Sequence, residues 1–192
     1  MIITLARECG CQGELIGQKL AERNQLPFYD RKKVSQLIRS KGTIDRFPDF
    51  YGENPVDTLS YGILLAEDED ALYKRPKQAL EEVMPEDHFI LLGRCGNYVY
   101  GDRENVLRIF LMGEEDDRVR TIAEKHDVSL RKAKETIHAT DERRRAYHMR
   151  YTGQDWGYAG NYDLCLNVTR LGIDGVLDEI ETAIRRICQN KA

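Results

Sequence analysis

Ile2-Ile3-Thr4-Leu5-Ala6 is an unbroken apolar run. It breaks into Arg7-Glu8-Cys9-Gly10-Cys11-Gln12-Gly13-Glu14 before Leu15, Ile16 and Leu20 take up helical spacing. A strand feeding a glycine-bearing loop and then a helix outlines a phosphate cradle. A helix start leaves backbone N–H groups unpaired at the positive end of the helix dipole, and glycine lets the backbone approach an anion closely. Gly10 and Gly13 fill that part here, and the competing reading is that they only shape the strand-to-helix turn. In the pattern GxxxxGK[ST] a lysine reaches the β/γ-phosphates and a hydroxyl reaches Mg²⁺. Here Gly13 is followed by Glu14 and Leu15, and the first glycine position falls on Glu8. Glu14 puts negative charge where a polyphosphate calls for positive.

Two more apolar runs lie further on: His88-Phe89-Ile90-Leu91-Leu92, stopping at Gly93-Arg94, and Val106 to Met112, followed by acidic residues from Glu114 to Asp117. Runs apolar throughout read as buried parallel strands, and acidic residues suit the start of the helix that follows. A short extended piece, Leu26 to Arg31, leads through the candidate N-cap Asp30 into a helix carrying Val34, Leu37 and Ile38. Residues 71–84 read as a helix. Ser129 caps another that runs into Asp141-Glu142-Arg143-Arg144-Arg145, with Arg150 beyond; a last strand from Tyr162 to Val168 and an amphipathic helix follow. Between Lys41 and Tyr61 periodicity fails among Phe47, Phe50 and Tyr51, which points to a foldable excursion over the substrate rather than a linker. Alternating strands and helices imply an α/β fold whose parallel sheet is covered on both faces, with ligands at the strand C-terminal edge. That edge would gather the Gly10–Gly13 loop, Arg94 and the segment after Met112.

At 192 residues, 41% apolar and 32% charged, the chain fits one domain with a sizeable core. A net charge of -4 argues against a surface built wholly for nucleic acid, and no specific nucleic-acid partner is expected. The strand-like start leaves no room for a signal peptide and no apolar run reaches membrane-spanning length, so a cytoplasmic protein without a membrane partner is expected. Five cysteines lacking a zinc-type CxxC pair are expected reduced, and no metal ligands are assigned. Cys9-x-Cys11 is read as loop packing in preference to a reactive thiol.

Together, Thr4-Leu5-Ala6-Arg7-Glu8 with its glycine loop, Pro27 to Arg31, Leu92-Gly93-Arg94-Cys95, Asp141 to Arg145, Tyr151-Thr152-Gly153 with Trp156, and Asn161 to Asn167 followed by Arg170-Leu171-Gly172 resemble the cytidylate kinase-like proteins. The resemblance runs through nearly the whole chain in order and is weakest over residues 41–84. It implies a three-layer P-loop nucleoside monophosphate kinase fold with a five-stranded parallel sheet, a monophosphate-binding subdomain over residues 31–86 and a lid over residues 127–160. It also implies transfer of the γ-phosphoryl group of ATP, with Mg²⁺, to CMP, dCMP or another small phosphate acceptor. By position, Gly10, Cys11, Gln12, Gly13, Glu14 and Leu15 form the phosphate loop. Arg118 lies near the adenine, Arg31 and Arg94 hold the acceptor, and Arg143, Arg144 and Arg150 clamp phosphates from the lid.

Phosphoryl transfer needs positioning and cations around an in-line transition state, and the arginine fork binds phosphate bidentately. The bland alternatives are a solvated helix face paired with Glu142 for Arg143 to Arg145, a strand-end ion pair for Arg94, and lid packing for Tyr151 and Trp156. If the loop serves a triphosphate, some cation replaces the missing lysine, with Arg7 and the lid arginines the nearest in sequence terms. If it does not, the chain is a nucleotide- or anion-binding sensor that keeps a kinase fold. The oligomeric state is left open.

Overall fold

The computed structural model describes residues 1–43, 46–52, 69–84 and 87–189. Five parallel strands lie in the order β2-β3-β1-β4-β5: β1 is Ile2–Arg7, β2 Phe28–Tyr29, β3 Phe89–Leu92, β4 Val106–Met112 and β5 Leu164–Asn167. The first strand is central, with Ile3 opposite Ile90 on one side and Leu107 on the other. Its neighbours are the two other apolar runs, as their unbroken hydrophobicity predicts.

Alternate side chains leave the sheet on opposite faces, and each face has its own core. Ile3, Leu5, Ile90, Leu92 and Ile109 pack with Ile16 and Leu20 of helix α1 (Gly13–Asn24) and with Val176 and Ile180 of the last helix (Val168–Gln189). Ile2, Phe89 and Leu91 pack on the other face with helix α2 (Arg31–Lys41), the short helix α3 (Pro48–Gly52) and helix α4 (Glu69–Val83). Gly17 is what lets α1 approach β2: a Cβ there would stand 2.3 Å from Cε2 of Phe28.

The expected caps are present, since Asp30 accepts the Lys33 N–H at 2.7 Å and Ser129 that of Lys132 at 3.3 Å. The expected excursion of residues 41–61 lies partly outside the described residues. Its described parts fold, with Phe50 and Tyr51 buried against Ala79, Leu80 and Val83. After β3 the short helix α5 (Gly96–Val99) leads to β4; α6 (Glu115–His126) and the 23-residue α7 (Leu130–Thr152) follow. The final helix, α8, kinks at Gly172, where φ is +67°. No described helix is long and apolar enough to cross a membrane.

Candidate functional site

The turn after β1 is shaped by two residues in the left-handed region, Gly10 at φ +92° and Gln12 at φ +50°. Glycine is required at position 10 on space as well as φ, because a Cβ would meet Arg118 at 2.7 Å. The first α1 hydrogen bond runs from the Ile16 N–H to the Gln12 carbonyl at 3.0 Å. The N–H groups of Gly13, Glu14 and Leu15 therefore have no carbonyl within the helix to bond, as at any helix start.

Behind the loop stands a buried polar brace. One Asp141 oxygen accepts the Cys9 N–H at 2.7 Å, and the other accepts from Arg118 Nη1 at 2.6 Å. Arg118 also donates to the Cys9 carbonyl at 3.2 Å and lies 3.6 Å from Glu8, whose carboxylate accepts the Gly113 N–H at 3.0 Å. Arg144 continues the chain of contacts, 3.5 Å from Asp141 and donating to the Arg7 carbonyl at 3.0 Å. A charge this far from water persists because each partner satisfies the other. Burial, then the neighbouring Glu8, pushes the Cys11 thiol up to about 12, so it stays protonated and acts as packing.

Two cavities open at the strand C-terminal edge. A cleft of about 710 Å³ lies in front of the loop, bordered by Glu14, Arg31, Arg39 and Lys125. Beside it is a pocket of about 150 Å³ bordered by Arg7, Arg31, Arg94, Arg143 and Arg144, with no carboxylate among the described lining residues. Arg7, Arg31 and Arg144 border both. The pocket wall beyond β3 turns through three consecutive left-handed residues, Gly93, Arg94 and Cys95, at φ +82°, +58° and +54°. Non-glycine residues at such angles mark strain, which concentrates at functional sites. Arg94 is 3% exposed and donates to the Phe50 carbonyl at 2.9 Å, an oxygen that also accepts from Tyr147 at 2.8 Å.

The structure brings Gly10, Gln12, Gly13, Glu14, Arg31 and Arg144 to the cleft, and Arg94 and Arg143 to the pocket. Arg118 stands behind the loop in the brace, Cys11 is buried, and Leu15 lines a neighbouring groove with Gln18 and Thr121. Arg150 borders neither cavity and lies 5.0 Å over the Tyr151 ring. Arg145 follows the bland alternative, paired with Glu142 at 2.8 Å and lying 5.8 Å over the Trp156 ring. Sequence reading missed Asp141 as a loop brace and His148, a buried pocket residue whose Nε2 finds no hydrogen-bond partner among the described residues. No local signal marks either, because their surroundings come from other parts of the chain.

Among the described residues no group of three or more His, Cys, Asp and Glu could hold a metal. Glu8 and Asp141 are committed to the brace and Asp30 to its helix cap, which leaves Glu14 as the carboxylate facing the cleft beside the loop. That donor set fits a Mg²⁺ arriving on a polyphosphate, since magnesium takes one or two carboxylates and keeps several waters.

A central strand, a glycine loop into a helix and a cationic edge on a five-stranded parallel sheet define the fold of the P-loop kinases. A gluconokinase from Sinorhizobium meliloti shares that fold, with TM-score 0.54 and 11% identity over 98% of this chain and 93% of its own. The chain belongs to the cytidylate kinase-like family, whose model matches residues 2–170. An uncharacterized protein from Eubacterium ventriosum is similar at TM-score 0.70 and 24% identity, covering 97% of this chain and 98% of that one. Among curated proteins, none matches the chain.

Proposed function

We propose that the protein transfers the γ-phosphoryl group of ATP to a small anionic acceptor of the nucleoside monophosphate class, CMP or dCMP, in the cytoplasm. The observation that carries this reading is the five-arginine pocket, free of carboxylates among its described lining residues, opening beside a helix start. The donor polyphosphate lies in the larger cleft against the N–H groups of Gly13, Glu14 and Leu15. The acceptor's phosphate lies in the pocket, held by Arg94 and Arg31.

An oxygen of that phosphate attacks the γ-phosphorus; one P–O bond forms as the β,γ-bridging bond breaks, and ADP leaves with the bridging oxygen. The protein's part is alignment and charge stabilisation. Arg143 and Arg144 act from α7, where Asp141 fixes Arg144 in place. A nucleotide-borne Mg²⁺, when bound, neutralises phosphate charge, with Glu14 the carboxylate available to it. A coupled assay of ATP consumption across a panel of monophosphates, with and without Mg²⁺, should show turnover favouring one pyrimidine acceptor. Retained nucleotide binding without turnover on any acceptor would instead establish the second reading, a nucleotide- or anion-binding sensor, which Glu14 and Leu15 in place of lysine and hydroxyl favour.

A further inference from the structure

We infer that Arg7 is the cation that takes the place of the absent loop lysine, its guanidinium set between the donor polyphosphate and the acceptor anion. This rests on the reaction proposed above. Two glycines define where the side chain runs. A Cβ at Gly13 would stand 2.9 Å from Arg7 Cγ and 3.3 Å from its Cβ, and a Cβ at Gly93 would stand 2.9 Å from Nη1. The arginine stem therefore lies on the glycine that opens α1, and its head lies on the glycine that ends β3.

That path carries the guanidinium from the phosphate loop to the mouth of the arginine pocket, and Arg7 borders both cavities. A side chain at Gly13 would crowd the arginine stem, and one at Gly93 would push the guanidinium aside. The backbone beneath is fixed as well, because Arg144 donates to the Arg7 carbonyl and the Glu8 N–H bonds the Leu111 carbonyl at 2.9 Å. A confined arginine loses less freedom when a phosphate binds, and its planar fork can engage two oxygens at once.

Three neighbouring arginines are anchored by the protein itself: Arg118 by Asp141 and Glu8 behind the loop, Arg144 by Asp141, and Arg94 by the Phe50 carbonyl. Placement of Arg7 at the end of β1, three residues before Gly10, also explains how Glu14 is tolerated after Gly13: the positive charge comes from the strand end instead of from the helix.

The test titrates inorganic tripolyphosphate by calorimetry, at one low salt concentration and without Mg²⁺, into the wild type, Arg7→Met and Arg7→Met/Glu14→Lys. Arg7→Met should bind at least tenfold more weakly, and adding Glu14→Lys should recover most of the loss by returning the cation to the helix start. Binding by Arg7→Met within twofold of wild type overturns the inference alone. Absence of binding by the wild type overturns the polyphosphate cleft and the inference with it. Should Arg7→Met fail to fold, the wild-type protein still answers: the Arg7 Nε–H resonance, assigned by its loss in Arg7→Lys, must shift when tripolyphosphate is added, and an unmoved signal rejects the role.

Discussion

His148 sits on α7, 4% exposed, and burial pushes its pKa from the ordinary 6.5 down to about 4. Arg7, Arg31, Arg94, Arg143 and Arg144 border the same pocket, and positive neighbours disfavour a further positive charge. The unfolded chain takes up a proton as pH falls through 6.5, whereas the folded chain stays neutral there until about 4. Stability is therefore lost between those values, by about 3 kcal/mol in full. Denaturant unfolding at pH 7 and pH 4.5 should show wild type losing about 2–3 kcal/mol more than His148→Phe. Equal losses in the two proteins would mean that the imidazole is protonated in the native state. None of this was legible from the sequence, where His148 is one polar residue inside a basic helix. Asp30 and Ser129 were legible because a cap is a local pattern of three or four residues. Asp141 was not, because its partners stand 132 and 23 residues away.

The long helix α7 shows the same division at the scale of an element. Its start, its length and its basic face follow from Ser129, the apolar spacing of Ala133 and Ile137, and the arginine run. What its two halves pack against does not. From Asp141 onward the helix is tied to the phosphate loop by the Asp141 brace and to α3 by Tyr147 and Tyr151, which pack on the Phe50 ring. Before Asp141 it rests against α6 and the loop through Val119, Ile122, Ala133, Ile137 and Cys9, a small cluster separate from the two larger ones. A lid over residues 127–160, which the resemblance implies, would have its base from Asp141 onward and its tip on the smaller cluster, since a segment with few buried apolar contacts opens most readily. Amide exchange with and without saturating ATP should show new protection concentrated in residues 127–140, with 141–152 already slow in the free protein. No change anywhere from 127 to 160 would remove the lid. Gly153 ends α7 in the left-handed region at φ +65°, a stop readable in advance from a glycine beside the apolar Tyr151.

At the scale of the whole molecule, the parallel sheet was readable because three strands buried on both faces cannot hide their composition. Right-handed crossovers then put their C-terminal ends on one edge whatever the strand order. The order itself, with β3 and β4 on either side of β1, is a matter of tertiary packing. So is the separation of charge that results, in which a chain of net charge -4 gathers five arginines around one 150 Å³ pocket. Like charges that close repel one another, and an anion that binds there relieves the repulsion only in the folded state. Binding to the native state alone raises stability by RT ln(1 + [L]/Kd), so an anion at about ten times its Kd adds about 1.4 kcal/mol, or roughly 3–5 °C in melting temperature for a chain of this length. Screening by salt also weakens the repulsion, at any site and for any ion, so the comparison must hold ionic strength fixed. Melting in sulfate and in chloride at equal ionic strength separates the two: sulfate should give the higher transition, and Arg143→Met, which removes an exposed pocket cation, should shrink the difference by half or more. A wild-type protein that melts at the same temperature in both salts would show that these arginines tolerate one another through general screening, and that the pocket does not recognise a tetrahedral dianion.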